Sequence, residues 1–500
     1  MNTMADPLVH AVRFHADRPA VTDVGAGTPT RTYAELGDRV RRLATVIAER
    51  TDPGDRVALL ALNSEQYLEL YFAVPAAGRL IVPLNTRWAD PELIYALDDS
   101  TSRLLLTDRE PGELADHVGD VLRMGADLEA LIAAAEPMAD LGAGVAEDDV
   151  AGLFYTGGTT GQSKGVMLTH RNLIAKAIHV RTTVPASSSD VYLVIAPMFH
   201  AAGSNSVLDV VWNGAHHVIL PGFDAGASLD AMERFGVTML LAVPTMMAAQ
   251  VDEQLARPRD VSALRRYLHG GSPVAGEIVR RATKAFPGVE QVELYGATEL
   301  SPLVTAYNHH EEALDGDRLR SCGRPVMGVA VRILDAATDE ELPAGQVGEI
   351  EVRGPNVMAG YWNKPDVTAS VLRDGWYRTG DVGRLDEDGY LFVLDRSKDM
   401  IITGGENVYS TEVEEAIYTH PGVAEATVFG VPDETWGEAV HAVVVPRQEG
   451  LTAEELIEHC RRAIAGYKVP KSVEFRAEPL PKSGPGKVLE RELRAPYWPR

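Results

Sequence analysis

At 500 residues the chain exceeds one ordinary domain, so two or more are expected. Hydrophobic residues at 45% and charged residues at 24% exclude a disordered chain. The 72 acidic against 47 basic residues, a formal net charge of −25, argue against a nucleic-acid or anionic-membrane binder, and an anionic ligand then needs a local positive site.

The first third alternates helical and strand patterns. Residues 33–50 place Tyr33, Leu36, Val40, Leu43 and Ile47 on one helical stripe. "DRVALLAL" reads as a buried strand, "SEQYLELYFAVPAAG" as a helix opened by Ser64, and "RLIVPLN" as a further strand. This βαβ grammar implies a parallel sheet with helices on its faces. It recurs around "VYLVIAPMF", "AHHVILP", "VTMLLAVP" and "RRYLHGG". From about residue 325 short strands spaced by Gly, Pro and Asp read as a small antiparallel β-barrel. After "DRSKDMI" the order helix, strand, strand, helix, strand describes a compact α+β unit. The expected class is α/β, with a large domain at 1–395 and a small mobile α+β domain at 396–500.

Cys322 and Cys460 give neither a disulfide framework nor a zinc cluster and fit a reducing cytoplasm. The first residues lack the apolar core of a signal peptide, and no run approaches the roughly 18 apolar residues of a spanning helix.

The chemistry concentrates in "YTGGTTGQSKGV" at 155–166. It follows the strand "VAGLFY" and precedes "THRNLIAKAIHV", a helix with Thr169 as N-cap, so strand, glycine turn and helix form an anion cradle. It is not a Walker A loop, because Gln162 and Ser163 separate Gly161 from Lys164, and it is not G-x-G-x-x-G.

Six further stretches follow: "PMFHAAGSN", "LHGGSP", "ELYGATE", "YRTGD", "DRSKDMIITGGENVY" and "PKSGPGKVLE". In this order the seven resemble the acyl-adenylate-forming superfamily, over about Thr32 to Arg494, and look most like bacterial fatty-acyl-CoA and hydroxycinnamoyl-CoA synthetases.

That resemblance implies an AMP-forming acid–CoA ligase using ATP, Mg²⁺ and coenzyme A. Thr156, Gly157, Gly158, Thr159, Thr160, Gly161 and Lys164 would hold the β- and γ-phosphates. Glu299, with Thr160, would carry Mg²⁺, and Thr298 would donate to the α-phosphate. Tyr295 would stack on adenine, with Gly270, Gly271 and Ser272 covering its other face; Glu293, Gly296 and Ala297 complete that set. Asp381 would accept the ribose hydroxyls and Arg396 would add a ribose or phosphate contact. Lys487 would bridge carboxylate and α-phosphate during adenylation. Rotation about Lys398 would then bring Gly404 and Gly405 to line a pantetheine tunnel, with Arg87 and Trp436 at the nucleotide end of CoA. Phe199, His200, Ala201, Ala202, Gly203, Ser204, Asn205 and Val243 would form the acid pocket, His200 shaping it rather than acting as a base.

The residues after "PMFH" are small and uncharged, which argues against an amino-acid substrate and leaves an alkyl chain and a phenylpropanoid ring both open. The chain departs from the family at Gly158, where Ser is usual, at Ser163, where Pro is usual, and at Pro485, where Thr is frequent. Two other readings stay open: an adenylating enzyme that loads a carrier protein, and a nucleotide-binding protein without turnover. Monomer and homodimer are equally compatible.

Overall fold

The computed structural model describes residues 3–156, 162–309, 317–396, 399–448, 450–483 and 486–498. Two large sheets share one core. The first has nine strands, and its central six, Glu290–Tyr295, Arg266–Gly270, Met239–Ala242, Val191–Val194, His216–Ile219 and Pro19–Asp23, run parallel. Antiparallel strands flank them on both sides. The second has seven strands, with Val150–Thr156, Leu80–Pro83, Arg56–Leu60, Leu104–Thr107 and Asp120–Arg123 parallel. Strands buried on both faces explain the unbroken apolar runs such as "MLLA" and "LIVP".

The helices fall where apolar spacing puts them. Tyr33–Ala48 starts at a capping box, in which Thr32 Oγ1 accepts from the Glu35 amide, and its stripe Tyr33, Leu36, Val40, Leu43 and Ile47 is buried. Glu65–Ala76 is capped by Ser64 and enclosed on all sides in the shared core. The third sheet is five-stranded and antiparallel, from Ala330–Leu334 to Leu391–Arg396. The fourth gathers five strands between Ile401–Thr403 and Ser472–Phe475 around its own core of Val413, Ile417, Val428, Val440 and Leu456.

One expectation is corrected. The glycine loop does not lead into a helix. Lys164–Thr169 is a strand, paired antiparallel with Val150–Thr156 so that Lys164 opposes Thr156. The loop therefore joins two paired antiparallel strands. The helix His170–Thr183, with Thr169 as its N-cap as expected, begins at the far end of the second strand. Its N-terminal dipole, effective over about one turn, is not aimed at the loop. The run "GVMLT" carries the β-forming residues, but its continuity with the helix hides the strand.

Candidate active site

The site gathers at the carboxyl ends of parallel strands, where open α/β sheets bind ligands. Gly270 and Leu294 are register partners on adjacent strands, so Gly270–Ser272 and Tyr295–Thr298 leave the sheet side by side. A Cβ on Gly270 would stand 2.2 Å from the Leu294 carbonyl oxygen, and one on Gly296 2.0 Å from that of Pro302, so only glycine fits either position. Gly271 has φ +90°.

The Tyr295 hydroxyl donates to Asp381 Oδ2 at 2.7 Å. Asp381 and Arg396 oppose each other across strands Trp376–Leu385 and Leu391–Arg396, and Arg396 Nε stands 3.5 Å from Asp381 Oδ1. Burial raises the Asp381 pKa, and Arg396 opposes that shift. The carboxylate thus keeps one oxygen loosely held, as a ligand to a ribose diol requires. Glu293 is buried deeper in its strand, with His309 Nε2 3.4 Å from one oxygen and the Cys322 thiol donating to the other at 3.7 Å.

Glu299 lies in the single turn Thr298–Leu300, pinned by its carbonyl accepting from the Met358 amide at 2.8 Å. The Tyr361 hydroxyl donates to Glu299 Oε1 at 2.9 Å. Lys164 Nζ sits 4.3 Å from the centroid of the same tyrosine ring, a cation–π distance. Tyr361 arrives there because Gly360–Tyr361 pairs with the strand Lys164–Thr169. One carboxylate fits Mg²⁺, which is usually held by one or two carboxylates together with substrate phosphates and water. Among the described residues no cluster of three or more His, Cys, Asp or Glu offers a protein-only metal cage.

Lys487 reaches this crevice from the far end of the chain. Its loop is tied by Ser483 N donating to Lys487 O at 2.7 Å and Lys487 N to Ser483 Oγ at 3.1 Å. Thr245 Oγ1 donates to Gly486 O and Arg87 Nη1 to Ser483 O, each at 3.0 Å. A Cβ on Gly271 would stand 3.8 Å from Lys487 Cε. Burial lowers the Lys487 pKa to about 8; Arg396 adds to the fall, while Asp381 and Glu299 oppose it. His200 is driven to about 3, by burial first and then by the charge of Lys487, so its imidazole is neutral. This fits a shaping role better than proton transfer.

Residues 8–362 match the family model described as AMP-binding enzyme, and residues 412–487 match that of the AMP-binding enzyme C-terminal domain. The chain belongs to the AMP-binding enzyme family. It is 44% identical over 481 residues to a feruloyl-CoA synthase of Amycolatopsis sp, covering 95% of this chain and 96% of that one. It is 34% identical over 530 residues to a long-chain-fatty-acid–CoA ligase of Salmonella typhimurium, covering 97% and 93%. Among solved structures it is similar to the O-succinylbenzoate coenzyme A synthetase of Bacillus subtilis in complex with ATP and magnesium ion, with a TM-score of 0.84, 30% identity, and 97% and 98% of the chains covered.

In this AMP-binding enzyme the acid-pocket candidates cluster after the strand Val191–Val194. A Cβ on Gly203 would stand 2.0 Å from the Pro197 carbonyl oxygen, which fixes glycine there. Ser204 is buried, Phe199 packs against the main core, and Val243 packs within a second core and meets the lysine loop at Gly486. The side chains of Ala201, Ala202 and Asn205, and the residues Gly157, Gly158, Thr159, Thr160, Gly161, Lys398 and Pro485, lie outside the described residues.

Four further candidates, expected at the site only after the C-terminal unit rotates, stand as follows. Gly404 and Gly405, at φ +61° and +86°, turn an exposed hairpin, and Gly404 N donates to the Trp436 carbonyl at 2.8 Å. Trp436 is 51% exposed and lies over Gly404. Arg87 holds the lysine loop. Sequence reasoning missed Tyr361 and Thr245. Tyr361 stands in "GYW" between short strands, without periodicity to mark it, and only strand pairing brings it to Glu299.

Proposed function

We propose that this enzyme is an ATP-dependent carboxylic acid–CoA ligase that activates a hydroxycinnamate-type acid. A carboxylate attacks the α-phosphorus of ATP and pyrophosphate leaves; the acyl-adenylate then passes its acyl group to the CoA thiol, and AMP leaves. One observation carries the reading: the Lys487 ammonium is within electrostatic reach of Asp381, Glu299, Arg396 and His200 while its loop is bonded to Thr245 and Arg87.

Reaction one joins two anions, so the protein must supply preorganised donors and positive charge. Lys487 donates to the carboxylate and to the α-phosphate, offsetting their repulsion. Asp381 accepts the ribose hydroxyls, Arg396 adds its charge, and Tyr295 with Gly270–Ser272 encloses the base. Thr298 donates to the α-phosphate, and Lys164 with the loop from Thr156 holds the outgoing pyrophosphate. Glu299 would hold Mg²⁺, which neutralises phosphate charge when bound. His200, neutral, packs beside the acid.

Lys487 has no task in reaction two. The unit 396–500 turns about Lys398, withdraws the lysine and presents Gly404 and Gly405 to the pantetheine arm, with Arg87 and Trp436 toward the CoA nucleotide. The exposure of the Gly404–Gly405 turn supports this assignment. The hydroxycinnamate class is supported by greater identity to the feruloyl-CoA synthase than to the long-chain ligase. We read the enzyme as cytoplasmic, in keeping with two free buried cysteines; no described helix is long and apolar enough to cross a membrane.

The test is AMP and thioester formation with ATP, Mg²⁺ and CoA over cinnamates, benzoates and short to long fatty acids. Ferulate or 4-hydroxycinnamate is expected to give both products. AMP release with carrier-bound phosphopantetheine but never with free CoA would sink the ligase reading, and turnover confined to fatty acids would sink the acid class.

A further inference from the structure

The helices His170–Thr183 and Ala201–Trp212 bury an ion pair that the adenylation chemistry leaves unused. Lys176 Nζ stands 3.6 Å from Asp209 Oδ1, with the side chains only 3% and 7% exposed. Among the described residues, that Asp209 oxygen has no hydrogen-bond partner closer than the Lys176 ammonium. Burial pushes the Asp209 pKa up and the Lys176 pKa down, each against the charge of its partner. Such a pair is weak evidence for stability, because well-packed apolar residues in its place are often neutral or stabilising.

Lys176 of this pair lines a cavity together with Tyr71, Phe154, Ser204, Leu208 and Pro302, with room for about one water molecule; Asp209 stands behind it, across the ion pair. Two of these residues tie the cavity to the acid site. Ser204 lies on the first turn of the helix that follows Phe199 and His200, and Pro302 lies three residues beyond Glu299. Ser204 is thus common to the cavity and to the proposed acid pocket, and the cavity's size suits one hydroxyl group.

We propose that Lys176 and Asp209 read a phenolic hydroxyl at the far end of the acid, with Ser204 at the mouth of the cavity. This rests on the acid–CoA ligase reading above and deepens it. A phenol both accepts and donates one hydrogen bond: Lys176 donates to its oxygen, and Asp209 accepts its proton. An alkyl terminus or an unsubstituted ring leaves both charges without that partner. Sites built to bond a substrate hydroxyl reject analogues lacking it far more strongly than apolar pockets reject an extra methylene.

The experiment compares kcat/KM for 4-hydroxycinnamate and cinnamate in wild type, Lys176→Met, Lys176→Arg, Asp209→Asn and K176M/D209L. The wild type is expected to favour the hydroxylated acid by about tenfold or more. In Lys176→Met and in the double variant that ratio falls toward one through loss on the hydroxylated acid, with KM for ATP unchanged. Lys176→Arg restores part of it. Should Lys176→Met not fold, the ratio in K176M/D209L, whose pair is wholly apolar, and in Asp209→Asn carries the test. Both acids falling together, with the ratio kept, overturns the inference alone and leaves the pair structural. A wild type that activates neither aromatic acid overturns the inference together with the proposed acid class.

Discussion

Lys487 concentrates the residue-scale argument. In the proposed adenylation its ammonium must be charged, and burial with Arg396 nearby lowers its pKa to about 8. The group is protonated below that value and neutral above it. kcat/KM for adenylation reports the free enzyme, so it is expected to hold near neutral pH and to fall about tenfold per unit above pH 8 or so. Acid-dependent ATP–pyrophosphate exchange across the neutral-to-alkaline range measures this. His200, neutral throughout, adds no limb of its own. Tyr361 is the second residue with a sharp expectation. Phenylalanine there removes the hydroxyl bonded to Glu299 but keeps the ring beneath Lys164. A hydrogen bond to a charged group contributes about 1.5–3 kcal/mol, so Tyr361→Phe is expected to raise the Mg²⁺ concentration needed for half-maximal exchange about tenfold or more. Its melting temperature should move little. An unchanged Mg²⁺ requirement would deny Tyr361 a positioning role.

At the scale of elements, the hairpin Val150–Thr156 and Lys164–Thr169 delivers Lys164, and the capping box at Thr169 anchors its outer end. Thr169 Oγ1 accepts from Asn172 N at 3.2 Å and Asn172 Oδ1 from Thr169 N at 2.9 Å, while Asn172 Nδ2 donates to the carbonyls of Pro355 and Val357. Thr169→Ala is expected to cost about 1 kcal/mol by denaturant titration. Asn172→Ala should cost more, since it removes the capping acceptor and also the donor to two carbonyls. Gly270→Ala forces a Cβ into the Leu294 carbonyl and is expected to destabilise by roughly 1–3 kcal/mol, with weaker nucleotide binding. These elements also mark how far the sequence is legible. The stripe from Tyr33 to Ile47, the caps Thr169 and Ser64 and the short antiparallel strands after residue 325 follow from local periodicity and turn chemistry. The strand Lys164–Thr169 does not, because a six-residue run between loop and helix has no period of its own. The Tyr361–Glu299 and Thr245–Gly486 contacts span 62 and 241 residues, and only the folded topology brings such groups together.

At the scale of the whole molecule, polar contacts between the C-terminal and N-terminal parts hold the arrangement with Lys487 inserted, two of them partly exposed. Glu415 accepts from the Gly276 amide at 3.0 Å, at the N-terminus of Gly276–Ala285, where a carboxylate also meets the positive end of the helix dipole. Arg447 pairs with Asp252 at 3.0 Å, and Arg281 binds the same carboxylate from the other side. Partly exposed pairs contribute about 0.2–1 kcal/mol, enough to bias a two-state equilibrium without locking it. Glu415→Ala and Arg447→Ala are each expected to slow adenylation severalfold while leaving thioester formation from supplied acyl-adenylate unchanged or faster. A net charge of −25 makes these local positive sites decisive for anionic substrates. The central claim is that one lysine at the end of the chain serves the first half-reaction and must leave for the second. The most direct measurement is a pair of assays on Lys487→Ala: ferulate-dependent ATP–pyrophosphate exchange, and thioester formation from CoA and synthetic feruloyl-adenylate. The account requires exchange to fall by about 10²–10³ while thioester formation is largely retained; equal loss in both assays would contradict it.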